Sequence, residues 1–242
     1  MTVLSVNVNK IALLRNSRGT GYPDLLGFVE RIVGLGVKGI TVHPRPDERH
    51  ITRRDVHDIS AWLADHPDVE FNIEGYPSPD FMKLVDQVRP AQCTLVPDEP
   101  GQLTSDHGWN PEANAGLLNT VLTRLRDMGV RSSLFLDPDP NMAEKVAALR
   151  PDRVELYTEA FARAYGTAQE QAVWDQYRHT AETARQAGIG LNAGHDLNLD
   201  NLARFLEIPG ILEVSIGHAL VVESLEQGME TVVRQYLSIT GG

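Results

Sequence analysis

The most informative residues of this sequence are polar side chains that end, or directly follow, short apolar runs rich in β-branched residues. Four of them are acids or bases: His43, Glu74, Glu155 and His195. Histidine exchanges protons near neutral pH. A carboxyl group that loses hydration at a strand end has its pKa raised toward the value that a general base needs. These residues predict proton-transfer catalysis, against the alternatives of a structural histidine and a surface-loop glutamate.

Glu155 lies inside the run RVELY rather than after it. Side chains alternate between the two faces of a strand, so Val154 and Leu156 should face covering helices while Glu155 points inward. A charge in that position requires a partner. The structural alternative is an ion pair with Arg153, which requires both side chains to share one face.

Several neighbouring residues suit phosphate groups. Arg45 and His50 follow His43 in HPRPDERHI, and the arginine fork matches phosphate oxygens. The segments NAGHD and SIGHAL place Gly194-His195 and Gly217-His218 at the ends of two consecutive runs. Glycine permits close backbone approach, and the amides of a following helix N-terminus bind anions. We predict a pocket that holds two phosphates.

The segment LLRNSRGTGYP, after the first run, carries Arg15 and Arg18 together with Gly19 and Gly21. We expect a basic, glycine-bearing loop here. Taken alone it is a weak anion signal, and beside the residues above it adds to the predicted phosphate pocket.

These residues need a scaffold that brings strand ends together. A helix-periodic segment follows each of eight β-rich runs, which cover residues 4–8, 39–43, 69–73, 92–96, 131–136, 153–157, 190–194 and 212–216. This order predicts parallel strands with covering helices, and in a closed barrel all carboxyl ends open onto one face. We therefore expect an α/β fold, a single (β/α)8 TIM barrel domain over residues 1–242. A doubly wound sheet is the competitor, but no glycine-rich phosphate turn follows the first strand.

Local signals also place some helix ends. Gly36, Gly129 and Gly188 stand where helices should end, in line with the glycine C-cap preference. Thr52, with Asp55 three residues later, predicts an N-cap. We expect single helices over LDNLARFLEI and over VVESLEQGMETVVRQYLSI.

Composition narrows the classes of protein. The formal net charge of −11 over 242 residues argues against surfaces for nucleic acid or anionic membranes. The single cysteine, Cys93, lies in the apolar run AQCTLV, and we expect a buried, inert thiol in a reducing cytoplasm. No apolar stretch approaches the roughly 18 residues of a membrane span, and no signal-peptide pattern follows Met1.

A metal site is the main chemical alternative. His43, Glu74, His195 and His218 could supply ligands, as in barrel metallohydrolases. Those enzymes generally carry His-x-His after the first strand, where this chain has residues 7–9 as Asn-Val-Asn. We therefore predict catalysis without a metal.

Seven blocks of the sequence, in order, resemble the pyridoxine 5′-phosphate synthase family between about residues 4 and 237: NVNKIALLRNSRGTGYPD, GITVHPRPDERHITRRDV, NIEGYP, LVPD with QLTSDHG, VELYTE, LNAGHDLNLDNL and EVSIGHAL. The resemblance implies a (β/α)8 barrel without metal or organic cofactor, assembled as a cytoplasmic homo-octamer built from dimers. It implies condensation of two phosphorylated small molecules, 1-deoxy-D-xylulose 5-phosphate and 3-amino-1-hydroxyacetone 1-phosphate. The products would be pyridoxine 5′-phosphate, phosphate and water.

The resemblance also implies roles for individual residues. By motif, His43 and Glu74 are similar to the family's proton acceptors and His195 to its proton donor. Glu155 is similar to the glutamate that stabilises the transition state. The positions matched to deoxyxylulose phosphate are Arg45, His50 and Thr104, and those matched to the amino-ketone phosphate are Asn7, Arg18, Asp196, Gly217 and His218.

The chain departs from the commoner family pattern at four positions. Asn9 and Lys10 replace an Asp-His pair, Tyr157 replaces a histidine, and Asp196 replaces a glycine. We expect these changes to alter substrate anchoring more than the reaction. Asn9 and Lys10 are included in the predicted substrate site, Lys10 as a point charge toward phosphate, with a solvated surface lysine as the alternative.

Two other functions stay open at this point. A barrel lyase or aldolase would share the phosphate loops but usually needs a Schiff-base lysine, and no predicted strand contains a lysine. A non-catalytic phosphometabolite-binding protein would leave Glu74 and Glu155 unexplained. For the enzyme, the long irregular stretch 97–113 predicts a lid that keeps water from reactive intermediates.

Overall fold

A computed structural model describes residues 1–98, 102 and 105–241. Over this part of the chain, eight parallel strands close into a barrel in sequence order. They are β1 (Val3–Asn7), β2 (Gly39–Val42), β3 (Glu70–Gly75), β4 (Gln92–Leu95), β5 (Arg131–Leu136), β6 (Arg153–Tyr157), β7 (Gly190–Gly194) and β8 (Ile211–Ile216). The predicted TIM barrel is confirmed, and β5, β6 and β7 have the predicted bounds.

The helices pack around the barrel, where their apolar faces cover the outward side chains of the strands. They are α1 (Asn9–Asn16), α2 (Leu25–Gly34), α3 (Arg53–Leu63), α4 (Pro79–Val88), α5 (Ala115–Met128), α6 (Pro140–Ala147), α7 (Glu159–Ala164), α8 (Glu170–Gln186), α9 (Leu202–Phe205), α10 (His218–Gln227) and α11 (Met229–Thr240).

The structure corrects three helix predictions. The first residues of the expected loop, 13–16, are instead the end of α1, a helix that Ile11 and Ala12 anchor by their burial. The expected last helix is divided at Gly228, whose φ of 86° is incompatible with a continuous helix. The segment expected as one helix around Leu202 forms only the short α9. The short helix α7 was not predicted.

Predicted helix caps are confirmed at N-termini and at C-termini. Thr52 Oγ1 accepts the amide of Asp55 at 3.2 Å, and Asp55 Oδ2 accepts the amide of Thr52 at 2.7 Å, which forms a capping box at the start of α3. Gly129 and Gly188 adopt φ values of 72° and 78° just past α5 and α8, the left-handed conformation that glycine adopts readily.

Polar side chains fill the middle of the barrel. Ser5 and Thr41 share a hydrogen bond of 2.7 Å. Asn72 Nδ2 donates to Thr41 Oγ1 at 3.2 Å, and Thr94 Oγ1 donates to Asn72 Oδ1 at 3.0 Å. This chain of bonds links β1, β2, β3 and β4 beneath the strand ends that carry the candidate site.

A charged network occupies the opposite end of the barrel. Glu213 Oε2 lies 3.3 Å from Nη1 of Arg153, and Oε1 accepts from Gln92 at 3.3 Å. Arg131 pairs with Glu70 at the edge of this network. Arg153 therefore does face inward, but its carboxylate partner is Glu213, one of the β8 residues, and not Glu155.

Cys93 is fully buried, as predicted, and burial raises the pKa of its thiol above the usual range. None of the helices within the described residues is long and apolar enough to cross a membrane.

Candidate active site

A cavity of about 600 Å³ opens at the carboxyl ends of the strands. It is lined by Asn7, Asn9, Lys10, Leu13, His43, Arg45, Arg49, His50, Glu74, Ser105, His195, Asp196, Leu197, Ser215, Ile216, Gly217, His218 and Ala219. The barrel topology thus brings together most of the predicted site residues from positions far apart in the sequence. The volume is in the range typical of small-molecule sites.

Two asparagines position the polar side of the cavity. Asn7, the last residue of β1, donates from Nδ2 to Glu74 Oε2 at 3.3 Å. The Asn7 Oδ1 accepts the amide of Asn9 at 3.0 Å, and Asn9 Oδ1 accepts the amide of His43 at 2.9 Å. The side chain of Asn9 therefore holds the end of β2 rather than only facing a ligand.

Glu74 and His43 form a buried pair, with 3.8 Å between Glu74 Oε2 and His43 Nδ1. Glu74 lies within β3, one residue deeper than expected. Burial, with smaller contributions from the negative charges of Asp98 and Glu213, raises the pKa of Glu74 to about 8. Burial and the charge of Arg45 hold the pKa of His43 well below its usual value. Both groups are predominantly uncharged near neutral pH.

Glu155 points into the barrel, as alternation predicts, with 1% of its surface exposed. Among the described residues its Oε2 has no hydrogen-bond partner. A Cβ atom at Gly194, on the neighbouring strand, would lie 2.2 Å from Glu155 Oε1, so this glycine makes room for the carboxyl group. Burial and the nearby Glu74 and Glu213 raise its pKa well above the usual value. The expected charge partner is therefore absent from the described structure, and burial favours the protonated over the charged carboxyl group.

His195 lies on the opposite, aromatic side of the cavity. Its ring centroid is 5.2 Å from that of Phe135 and 5.4 Å from that of Tyr157. Its backbone has a φ of 75°, which is uncommon for a residue with a side chain. The hydroxyl of Thr158 donates to the Gly194 carbonyl at 2.8 Å and also to the His195 carbonyl. Burial lowers the pKa of His195 and so favours its neutral imidazole.

Asp196 also has a positive φ, of 54°. Aspartate tolerates this conformation better than most residues with a Cβ, which explains how it can stand where a glycine would be easiest. Its carbonyl accepts a hydrogen bond from Asn201 Nδ2 at 3.1 Å. The exposed side chain of Asp196 is at the edge of the cavity.

Three cationic side chains line the cavity and differ in their partners. Arg45 lies 2.6 Å from Asp98 Oδ2, and Arg49 binds Asp47 at 2.8 Å. Lys10, in α1, has no carboxylate partner within the part of the chain that the structure describes. Lys10 thus presents the least neutralised positive charge to a ligand.

His50 and the last Gly-His pair complete the polar side. His50 Nδ1 accepts the amide of Ile51 at 2.9 Å, and burial with the charge of Arg45 lowers the pKa of His50 to about 4. It is a neutral ring with its Nε2 hydrogen available. Gly217 precedes α10, which begins at His218, and a Cβ at Gly217 would lie 3.0 Å from Asn7 Cβ. The glycine permits this close approach of β8 to β1.

Besides Glu155, which is buried in the barrel, three predicted residues are not among those that line the cavity. Arg15 binds Asp55 through two hydrogen bonds, of which the Nη2 to Oδ2 bond is 2.8 Å long, so it braces α1 against α3. Arg18 is exposed and is not among the lining residues. Thr104 lies outside the described residues, as does part of the predicted lid.

Sequence reasoning missed Asp98 and Ser105. Both follow β4 in the stretch that was taken only as a lid, and their burial as polar residues appears only in the structure. An aspartate directly after a strand end, in VPD, was the available signal. The described residues contain no group of three histidine, cysteine or carboxylate side chains arranged to hold a metal ion.

Comparison with known proteins agrees with this geometry. The family model described as "Pyridoxal phosphate biosynthesis protein PdxJ" matches residues 4–241. The chain belongs to this family. It is 51% identical over 237 residues to pyridoxine 5′-phosphate synthase of Bacteroides thetaiotaomicron, with 98% of each chain covered. It is 48% identical over 242 residues to pyridoxine 5′-phosphate synthase of Albidiferax ferrireducens, with 98% of this chain and 96% of the relative covered. The family resemblance and the prediction of an enzyme are confirmed.

Solved structures outside the pyridoxine 5′-phosphate synthase family share the barrel alone. A mutant tryptophan synthase alpha-subunit from Pyrococcus furiosus superposes with a TM-score of 0.66 at 14% identity, with 100% of this chain and 98% of that chain covered. Phosphoribosyl anthranilate isomerase from Thermotoga maritima gives a TM-score of 0.63 at 14% identity, with 100% of both chains covered.

Proposed function

We propose that the protein is a pyridoxine 5′-phosphate synthase that condenses 1-deoxy-D-xylulose 5-phosphate with 3-amino-1-hydroxyacetone 1-phosphate. Phosphate and water are released as the pyridine ring closes. The observation that carries the proposal is the placement of His43, Glu74 and His195 around one cavity, with the buried carboxyl group of Glu155 close enough to Glu74 for their charges to interact. Condensation, phosphate loss, dehydration and ring closure need repeated proton transfers and no redox step, so we propose catalysis without metal or organic cofactor.

The polar side would remove protons. Glu74, held by Asn7, and the neutral ring of His43 are 3.8 Å apart, so a proton taken by one can pass to the other. The ionised form of Glu74 is a stronger base than an ordinary carboxylate because its pKa is about 8. Protonated Glu155 can donate a hydrogen bond to an oxyanion that forms during the reaction.

His195 would return protons in the later steps. A neutral imidazole is a poor acid, so His195 must first gain a proton. A phosphorylated substrate brings negative charge into the cavity, and nearby negative charge favours imidazolium. We therefore propose that substrate binding converts the neutral ring of His195 into the proton donor.

Two groups of residues would hold the two phosphates. Arg45 and His50 are proposed to bind deoxyxylulose phosphate, together with Thr104. Asn7, Asp196 and the Gly217-His218 pair are proposed to bind the amino-ketone phosphate, with Arg18 joining only if it moves from its exposed position. Lys10 and Asn9 also line the cavity, and Lys10 supplies a charge that no carboxylate neutralises among the described residues.

We also propose a cytoplasmic homo-octamer. Support comes from apolar side chains on neighbouring helices: Leu13 and Leu14 of α1 and Val222 and Leu225 of α10 are exposed, Leu225 at 77%. A contact between subunits would remove this apolar surface from water. Light scattering of the purified protein would measure the mass of the assembly.

The test of the activity is direct. Purified protein is mixed with both substrates, and phosphate release is followed beside formation of pyridoxine 5′-phosphate. Equal initial rates of the two products are expected, with no product when either substrate is omitted. Phosphate release without the pyridine product would instead indicate a lyase that shares the phosphate site, although the described strands carry no lysine.

A further inference from the structure

A buried carboxylate outside the cavity contacts two residues that line it. Asp98 follows β4 and is 5% exposed. Its Oδ2 accepts hydrogen bonds from Arg45 Nη2 at 2.6 Å and from Ser105 Oγ at 2.8 Å. Arg45 and Ser105 line the cavity, whereas Asp98 does not. Asp98 is therefore connected to the cavity through Arg45 and Ser105.

The position of the Arg45 guanidinium depends on this carboxylate. The guanidinium is buried, and its second described bond runs from Nη1 to the Gln102 carbonyl at 3.1 Å. A guanidinium has five N–H donors, so donors remain for a ligand in the cavity. Loss of one partner from a buried ion pair leaves an uncompensated charge, which costs several kcal/mol in typical proteins. Without Asp98, Arg45 would turn toward water or bind another acid.

The same carboxylate acts on the proposed base. After burial, the negative charge of Asp98 is the largest contribution to the raised pKa of Glu74. The titratable and charged groups that face Glu74 from the surrounding elements are His43, Arg45, Asp98, Glu155 and Glu213. Asp98 therefore links the arginine proposed to bind phosphate with the carboxyl group proposed to accept a proton.

We propose that Asp98 is a positioning residue of the reaction: it fixes the Arg45 guanidinium in the pocket wall and keeps a negative charge beside the Glu74 base. The inference rests on the proposed function for its role in turnover. The chain also offers a matched comparison, because Arg49 is paired with Asp47 at the rim, where both groups are partly exposed and water screens their charges.

The test is Asp98→Asn beside Asp47→Asn. Asp98→Asn should lower kcat/KM by about tenfold or more, chiefly through a higher KM for the substrate that Arg45 binds, since a charge-assisted bond is lost. The acid limb of its kcat/KM profile should move to lower pH, because Glu74 ionises more easily without the adjacent charge. Asp47→Asn should leave both the rate and the acid limb unchanged.

An acid limb that stays in place in Asp98→Asn, whatever the loss of rate, would overturn the proposal, since a purely structural defect lowers rate without moving that limb. If Asp98→Asn does not fold, Asp98→Glu retains the charge but moves the carboxylate by one methylene. It should raise KM and leave the acid limb where it is, and an unchanged KM would overturn the proposal.

Titration of Glu74 in the protein without substrates separates this inference from the proposed activity. Protein carrying glutamate labelled with carbon-13 at the carboxyl carbon is titrated by NMR, with Glu74→Gln to assign the resonance. The Glu74 resonance should titrate at lower pH in Asp98→Asn than in wild type. That shift in a protein that makes no pyridoxine 5′-phosphate would refute the activity and retain the link between Asp98 and Glu74. No shift would refute the link.

Discussion

The mouth of the barrel has a polar side and an aromatic side, and each holds one histidine in a different way. On the polar side, His43 lies 3.8 Å from Glu74, and asparagine side chains bond to both residues. On the aromatic side, His195 lies against Phe135 and Tyr157 in a left-handed backbone conformation. One histidine is placed by hydrogen bonds and the other by ring packing and backbone geometry.

This difference predicts which property, pH dependence or rate, a substitution on each side should change. On the polar side, charged neighbours add to the effect of burial on the pKa values of Glu74 and His43, so substitutions of those neighbours should change pH dependence. On the aromatic side, burial dominates and geometry is held by the main chain around Gly194, His195 and Thr158. Substitutions there should change rate with little change in the pH profile.

The largest effect should follow the loss of the base. Glu74→Gln keeps the shape of the side chain but removes the proton acceptor, so kcat should fall by about 10²–10⁴-fold with the fold retained. Steady-state kinetics and circular dichroism measure the two properties. Turnover within a few-fold of wild type would show that Glu74 is not the base.

On the aromatic side, His195→Asn should also lower kcat. The variant should bind both substrates but stop before ring closure, because the late protonation is missing, with kcat reduced by about 10²-fold or more. Rapid quench should trap a substrate-derived adduct. Product release at the wild-type rate would remove His195 from the mechanism and leave the polar side to act alone.

A third prediction concerns stability on the polar side. The pKa of Glu74 is 4.5 for an ordinary carboxyl group and about 8 in the fold. Between these values the folded state holds a proton that the unfolded chain releases, so the free energy of unfolding falls as pH rises. Glu74→Gln has no carboxyl group at this position, so its folded state holds no such proton. Its stability relative to wild type should therefore grow from about pH 4.5 to about pH 8 and stay constant above that.

Urea denaturation at a series of pH values measures that difference. A difference that does not change with pH across this window would contradict a raised pKa for Glu74. The comparison with His195→Asn sharpens the contrast between the two sides. Burial depresses the pKa of His195, so below the usual histidine range the unfolded chain binds a proton that the folded state does not. The contribution of His195 to the free energy of unfolding is therefore lost as pH falls through that range.

A smaller effect is expected from the main-chain support of the aromatic side. Thr158→Val removes the hydroxyl that donates to the carbonyls of Gly194 and His195. We expect kcat to fall by roughly tenfold, about 1.4 kcal/mol, with KM nearly unchanged. Thr158→Ser retains the hydroxyl and serves as the control. Equal kinetics for the valine and serine variants would show that packing alone holds His195.

The smallest effect concerns Lys10 at the edge of the polar side. Lys10→Met should raise KM or lower kcat by about tenfold, because a point charge toward phosphate is lost, while thermal stability hardly changes. Lys83→Met, on the exposed face of α4, is the matched control. Kinetics indistinguishable between the two variants would identify Lys10 as a solvated surface charge.

Much of the fold could be predicted because strand ends and helix caps are local signals. The runs that became β5, β6 and β7 are bounded by turns, and the capping box of Thr52 and Asp55 needs only three residues of spacing. The inward direction of Glu155 followed from alternation alone. These features depend on neighbours in the sequence, so the sequence was sufficient.

The remaining features depend on partners distant in the sequence. Arg15 was assigned to anion binding, but it pairs with Asp55, 40 residues away. Arg45 was correctly expected at the pocket, yet its neutralisation by Asp98, 53 residues away, could not be predicted. The roles assigned to the lining residues stay predictions until the variants above are measured.

The contact between Gly194 and Glu155 has a consequence for how this protein can change over generations. Any side chain at residue 194 would collide with the Glu155 carboxyl oxygen at 2.2 Å. A side chain at residue 194 therefore requires the Glu155 carboxyl group to move or to be shortened. A shorter acid at residue 155 would make room for alanine at residue 194, but it would also withdraw the carboxyl group that is proposed to bind an oxyanion. We therefore expect substitutions at residues 155 and 194 to occur together in evolution.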